Sequence, residues 1–175
     1  MREIKFRAKT KATGEWIKGH PFPLYHNQEG RHKSPHWLFI PKDANISKSR
    51  CIGSIQVEVD TNTIGQFTGL KDKNGTDVYE GDIIRVKEYD NQAKGECCHD
   101  PGFYDMFTLD ELKGELEKEY VSAVGWEEGC FVFSSNGEYN DCFLSILFGD
   151  MKRSYPIFDF EVIGNIYDTP ELINK

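Results

Sequence analysis

The densest group of residues that could do chemistry lies in the stretch IGQFTGLKDKNGTDVYEGDIIRV, residues 64–86. Residues 71–75 read KDKNG, which places two lysines, a carboxylate and an amide beside a glycine, with apolar runs on both sides. Side chains of these types could bind a phosphate, bind a metal ion, or turn the backbone. The spacing of the residues distinguishes between these three roles.

A phosphate-binding loop of the P-loop type has two glycines separated by four residues, followed by Lys and then Ser or Thr. Here five residues separate Gly69 from Gly75, and Thr76 and Asp77 stand where the Lys and the hydroxyl residue are required. The residues that follow predict a strand, whereas the anion would need the N-terminus of a helix. The spacing therefore argues against a P-loop.

A calcium-binding loop fits the stretch no better. With Gly75 at the sharp-turn position, the first ligand position falls on Leu70, whose side chain has no oxygen. The closing carboxylate would have to stand at residue 81, and Glu80 falls one residue short of it. We therefore expect no calcium site in this stretch.

The remaining interpretation is that the stretch turns the backbone. Asn74 followed by Gly75 is the dipeptide that most readily takes positive φ at both central positions of a tight hairpin turn. Gly81 and Asp82 predict a second turn, before the apolar run IIRV. We assign all four residues as structural turn formers without a ligand of their own, and the charges around them as solvated.

Histidines and cysteines are the other candidate metal ligands. The long loop 19–36 contains four histidines, but Pro35 argues against the helix that would bring the last two onto one face. Two adjacent cysteines further on lack the CxxC spacing of a zinc site. We therefore predict no metal site and no cofactor, and leave open whether the histidines bind a metal in a metal-dependent enzyme. These residues are His20, His26, His32 and His36, with Cys97 and Cys98.

Nucleophilic and acid–base catalysis have no visible position in the chain. The sequence contains neither a GxSxG motif nor a papain-like cysteine setting. Glu127 and Glu128 stand at a predicted turn, where a carboxyl group would be solvated and not desolvated as a general acid must be. No catalytic residue is predicted, the binding residues are unknown, and we expect the protein not to be an enzyme.

Composition and charge set the class of protein. The 175 residues are 38% hydrophobic and 13% aromatic, with a formal net charge of −8 at pH 7. The charge disfavours nucleic-acid binding over the whole surface, because phosphate neutralisation needs clustered Lys and Arg. Residues 1–11 are nevertheless rich in both, which indicates either a lysine-guarded sheet edge or a local basic patch. No apolar run has the length of a membrane span, and the absence of an export signal indicates free thiols in the cytoplasm.

The elements that must position these residues are mostly strands. Residues 4–8 alternate apolar and basic side chains and form a predicted hairpin with the strand that begins at Trp16, around a turn at Thr13 and Gly14. Thr108 and Glu111 form a capping box, and the leucine spacing after them predicts a helix over 108–119. Apolar runs after the helix indicate further strands.

Several of these stretches together resemble the YopX family, small proteins carried by phages and prophages of bacteria. The matching stretches are REIKFRA and ATGEWIKG near the N-terminus, TIGQFTGLKDKNGTDVYEGDIIRV in the middle, a weaker match at AVGWEEGCFVF, and EVIGNIYDTPEL at the end. The resemblance implies a mostly β protein whose second half is a small SH3-type barrel, and oligomers in some members. It implies no activity and supplies no catalytic residue.

We therefore expect a mainly β (α+β) fold, with an N-terminal β unit packed on a small SH3-type β-barrel that carries one inserted helix. The N-terminal subdomain would span residues 1–63, including the loop 19–36. The barrel subdomain would span residues 64–175, with a helical insertion at about 90–119.

The expected function is that of a phage or prophage accessory protein in the bacterial cytoplasm, a non-enzymatic protein-binding or scaffolding module. Its partners would be further copies of itself and a host or phage protein. The alternative is a nucleic-acid-associated phage protein that uses the basic N-terminal region, although the net charge disfavours it. The sequence does not identify the partner, the oligomeric state or the role in a phage cycle.

Overall fold

The computed structural model describes residues 4–24, 36–41, 57–92, 108–127, 129–135, 138–139 and 157–173. Most of these residues lie in antiparallel strands, which confirms the mainly β prediction. The chain divides into two compact units, Met1–Phe67 and Thr68–Lys175, and strand β5 (Gly65–Lys71) runs from the first into the second.

The strands of the first unit belong to a six-stranded sheet in the order β4-β3-β2-β1-β5-β6. The predicted N-terminal hairpin is confirmed, because the first two strands pair around the turn at Thr13 and Gly14. Ala8 and Val59 are fully buried and form a small core with Phe6, Ile17 and Ile64. The strands of this unit other than β5 are β1 (Phe6–Lys9), β2 (Trp16–Leu24), β3 (His36–Pro41) and β4 (Val57–Glu58), and a 3₁₀ turn at Thr61–Thr63 follows them.

Residues 19–24, expected to be loop, belong to β2. Residues 20–24 pair with β3 alone, since the register with β1 ends at Gly19. Pro21 and Pro23 are two positions apart, so their missing N–H groups fall on the same side of the strand. A strand can accommodate prolines on a side without a ladder partner. The prediction of a loop from residue 19 was therefore wrong for this part of β2, and residues 25–35 lie outside the described residues.

The second unit is built on a three-stranded antiparallel sheet in the order β13-β7-β8. Its core consists of buried Val, Ile and Phe side chains, among them Val78, Ile84 and Phe133. The C-terminal part of β5 pairs with β6. The strands are β6 (Asp77–Tyr79), β7 (Asp82–Asn91), β8 (Lys113–Ala123), β9 (Gly125–Glu127), β10 (Cys130–Val132), β11 (Ser134–Ser135), β12 (Glu138–Tyr139) and β13 (Ile157–Asn165), with a 3₁₀ turn at Pro170–Leu172.

The described strands of this unit form separate antiparallel sheets and no closed barrel. The predicted SH3-type barrel is therefore not confirmed. The predicted division of the chain between residues 63 and 64 stays a prediction, as does the packing of one subdomain on the other.

Helix α1 (Leu109–Leu112) begins with the predicted capping box. The Thr108 amide donates to Glu111 Oε2 at 2.6 Å, and the Glu111 amide donates to Thr108 Oγ1 at 3.3 Å. The predicted continuation to residue 119 is wrong, because β8 starts at Lys113 and pairs with β7. Leu116, expected on the apolar face of the helix, is 48% exposed. Pairing with β7 overrides a weak helical pattern that already contained Gly114.

None of the helices in the described parts of the chain has the length and apolar character needed to cross a membrane.

Candidate functional site

The KDKNG stretch forms the tip of the β5–β6 hairpin. The Gly75 amide donates to the Asp72 carbonyl at 2.9 Å, and the Asp72 amide donates to the Thr76 carbonyl at 2.9 Å. Asp72 and Gly75 are thus the first and last residues of a four-residue turn, the positions at which Asp and Gly are favoured. Gly75 has φ +81, a conformation that costs an L-residue about 1–2 kcal/mol. The turn is centred on Lys73 and Asn74, one residue earlier than predicted.

The Asp72 carboxylate binds three main-chain amides. Oδ1 accepts from the amides of Asn74 and Thr76, both at 2.8 Å, and Oδ2 accepts from the amide of Val162 on β13 at 3.1 Å. Burial of Asp72 by itself raises the pKa of the carboxyl group, but the hydrogen bonds from these amides outweigh it and hold the pKa below its ordinary value. The carboxylate fixes both the shape of the hairpin tip and its attachment to β13.

The second predicted turn joins three strand ends. The Gly81 amide donates to the Val124 carbonyl after β8, and the Gly81 carbonyl accepts from the Ile166 amide after β13, at 2.8 and 2.9 Å. Asp82 Oδ2 accepts from the Tyr79 amide at 2.7 Å, and Asp82 itself is 1% exposed. Gly81 also has φ +81. The Asp82 carboxylate of this turn therefore accepts from a main-chain amide, as the Asp72 carboxylate does at the hairpin tip.

The four residues assigned as turn formers therefore lie in or directly beside turns. Asn74 and Gly75 are in the hairpin loop, Gly81 is in the turn before β7, and Asp82 is the first residue of β7. The sequence signal missed for this region was Asp72, whose partner Val162 is 90 positions away in the chain.

A shallow groove lies next to the hairpin tip and encloses about 170 Å³, open solvent included. This volume is below the roughly 300–1,000 Å³ of small-molecule pockets. Lys73 Nζ lies 2.7 Å from Glu161 Oε2, and this pairing raises the pKa of Lys73 and lowers that of Glu161. Arg85, Lys87, Asp159 and Phe160 complete the lining.

Opposite charges on the three strands balance one another around this groove. Glu119 Oε1 lies 3.7 Å from Arg85 Nε, and Glu119 Oε2 lies 3.6 Å from Lys87 Nζ. Asp159 Oδ2 lies 3.4 Å from Lys113 Nζ. Such cross-strand pairs stabilise a sheet. Each of the three cations that line the groove thus has a carboxylate oxygen within 4 Å, which weakens its attraction for an anionic ligand.

Most of the candidate metal ligands fall outside the described residues, among them His26, His32, Cys97 and Cys98. His20 is exposed on β2, and the position of the His36 backbone is described within β3. Across the described ranges, no group of three or more His, Cys, Asp or Glu residues is placed to hold a metal ion. Whether the histidines bind a metal stays open.

The basic N-terminal residues lie on an interior strand. β1 has β2 on one side and β5 on the other, so the expectation of a lysine-guarded edge was wrong. Arg7 pairs with Lys18 and Lys9 with Trp16, while Ala8 between them is buried. Since successive side chains alternate between faces, these four side chains share the face opposite Ala8. The cations of β1 were visible in the sequence. That Trp16 and Lys18 lie beside them on the same face depends on the register of the hairpin, which the sequence indicated only through the predicted turn.

The described elements define a mainly antiparallel β protein in which the carboxylates of the central motif, Asp72 and Asp82, bind main-chain amides. The chain belongs to the family whose model is described as YopX protein, and the match covers residues 5–174.

The chain is also similar to the crystal structure of protein EF1440 from Enterococcus faecalis, with 23% sequence identity over 99% of each chain and a TM-score of 0.46. No curated protein matches the chain.

Proposed function

We propose that this YopX-family chain is an accessory protein of the phage or prophage type, and that it works as a non-enzymatic binding or scaffolding module in the cytoplasm of a bacterial host. The observation that carries the proposal is the use of the central family motif. The carboxylates of Asp72 and Asp82 bind main-chain amides, and Gly75 and Gly81 adopt the positive φ that their turns require. The motif thus specifies the fold. This agrees with a module in which the motif supports the structure and other surfaces bind the partner.

Trp126 is the described side chain that best fits contact with a protein partner. It is 48% exposed on β9, and its ring packs edge-on against Phe131 with 4.6 Å between the centroids. Tryptophans held in a fixed orientation are enriched at the energetic centres of protein interfaces. We propose a host or phage protein, or a second copy of this chain, as the partner of this surface.

Affinity capture from host cells tests this function, with wild type compared with Trp126→Ala. We expect wild type to capture at least one protein that Trp126→Ala does not capture. Self-association of wild type and of the variant is measured by sedimentation. Leu116→Ala is the matched control, because Leu116 is also 48% exposed but lies on β8. Identical captured proteins and identical sedimentation for all three would contradict the role of Trp126.

A second candidate function is association with nucleic acid through the N-terminal unit. The basic side chains on one face of β1 and β2 favour it, because clustered cations release counterions from phosphates.

An SH3-type barrel in the second unit stays a prediction.

A further inference from the structure

The two compact units carry opposite net charges. Met1–Phe67 contains eleven Lys and Arg against six Asp and Glu, a net charge of +5, whereas Thr68–Lys175 contains ten against 23, a net charge of −13. The formal total of −8 therefore hides a basic unit. Charge asymmetry of this kind between parts of a chain points to an anionic partner for the basic part.

The cations of the basic unit are arranged in rows on one face of its sheet. Lys5, Arg7 and Lys9 alternate with the core side chains of β1, and Lys18 stands directly across from Arg7 on β2. Alternate residues of a strand are about 6.6 Å apart. This distance is comparable to that between neighbouring phosphates along an extended nucleic-acid strand.

Aromatic rings hold these cations on the face. Arg7 Cζ lies 4.7 Å and Lys9 Nζ 5.5 Å from the centroid of the Trp16 ring, and Lys5 Nζ lies 4.0 Å from that of Phe67. Cation–π contacts of this length fix the direction of otherwise flexible side chains. Half-buried Trp16 also adds an aromatic ring among the cations, the combination found in sites that bind single strands.

The width of the sheet favours a single strand over a duplex. The cationic strands β1 and β2 are both interior in a sheet of six strands, β4-β3-β2-β1-β5-β6. Six strands at a spacing of about 4.8 Å make a sheet about 24 Å wide. The major groove, at about 12 Å, admits only a helix or a two-stranded ribbon. This face cannot enter the groove, but a single strand can lie across it.

We propose that the face of β1 and β2 formed by Lys5, Arg7, Lys9, Trp16 and Lys18 binds a short segment of single-stranded nucleic acid through its phosphates. This inference rests on the second candidate function above and specifies the partner and the surface. Glu58, paired with Lys11 at 2.6 Å, is one of the described carboxylates of this unit that would oppose binding.

Fluorescence anisotropy with labelled oligo(dT), oligo(rU) and a duplex of equal length tests the proposal, and the first two probes separate DNA from RNA. For about four phosphate contacts, we expect affinity for the single strands to fall about 50-fold between about 50 and 200 mM salt. The face variant Lys9→Gln/Lys18→Gln should lower the salt slope by about 1.4. Both substitutions change side chains and leave the main-chain pairing groups in place, and an unchanged circular dichroism spectrum would verify that this variant folds.

The control variant is Lys71→Gln/Lys118→Gln, which removes the same charge from the acidic unit at side chains 61% and 63% exposed. It should leave binding unchanged. If the two variants lose affinity equally, or if the duplex binds as tightly as the single strands, this inference is wrong. The second candidate function, association with nucleic acid, would then still stand. If wild type binds none of the probes at low salt, both the inference and the second candidate function are wrong.

Discussion

Three main-chain amides share the carboxylate of Asp72, two in its own hairpin and the third on β13. The residue is 7% exposed, so these bonds are shielded from water. A charge in a sequence motif is often assumed to meet a ligand, but here backbone groups use both oxygens.

Replacing Asp72 with Asn removes one of the two acceptor oxygens. Either the hairpin amides or the Val162 amide then faces an NH₂ group, and a buried donor without an acceptor costs about 1–3 kcal/mol. We expect Asp72→Asn to lower the free energy of unfolding by that amount, measured by urea denaturation. Asp110→Asn is the control, because the Asp110 side chain is 90% exposed. Equal stability of the two variants would refute the role of Asp72.

The depressed pKa of Asp72 gives its contribution to stability a definite pH dependence. A carboxyl group whose pKa is lower in the folded state stabilises the fold above its unfolded-state value, about 3.9 for Asp. That contribution is lost as the pH falls through the folded-state pKa. The stability difference between wild type and Asp72→Asn should therefore be constant near neutral pH and shrink below about pH 4. A difference that stays constant down to pH 2 would contradict this assignment.

Among single residues, local chemistry was readable from the sequence and distant contacts were not. The turn chemistry of Asn74, Gly75 and Gly81 placed the bends. The exact centre of the hairpin turn depended on Asp72 binding the amides of Asn74 and Thr76, a choice that the Asn-Gly signal alone does not determine. Its bond to Val162 depends on the folded sheet, so local pattern could not reveal it.

At the scale of elements, α1 begins where the helical sequence pattern predicts, but β8 replaces the helix that the same pattern predicts after residue 112. The capping box starts the helix where the sequence predicts, because both of its hydrogen bonds are local. The helix ends early because β8 pairs with β7 along most of its length, with two register shifts near the helix. That pairing depends on residues about 30 positions away, which helical periodicity does not register.

Gly114 provides a test whose sign differs between helix and strand. In an exposed helix, Gly114→Ala would stabilise by about 1 kcal/mol. In β8, a Cβ at this position would lie 2.9 Å from the Asp90 carbonyl oxygen. We therefore expect a loss of about 1–3 kcal/mol in the free energy of unfolding, measured by thermal or urea denaturation.

Gly125→Ala is the control for that substitution, since its Cβ would make only an ordinary contact at 3.8 Å with Val132. Its effect should be much smaller. A stabilising effect of Gly114→Ala would show that this segment is helical, as the sequence first indicated.

At the scale of the whole molecule, composition predicted the fold class and not the sheet order. An abundance of Val, Ile, Phe and Tyr favours strands wherever they pair. The order β13-β7-β8 brings together strands far apart in the chain, and several pairings of similar apolar strands would satisfy the same composition. The net charge likewise concealed the basic unit, because a total does not record where charges lie along the chain.

β7 lies between β8, which follows it closely in the chain, and β13, the last of the described strands in chain order. On the ribosome, a nascent chain that ends at β12 leaves one side of β7 without β13, its native neighbour. The Asp72 carboxylate then also lacks the Val162 amide as a donor. Unpaired strand flanks attract other chains. Translation products truncated before residue 157 should therefore aggregate, and full-length synthesis is a condition for a stable second unit.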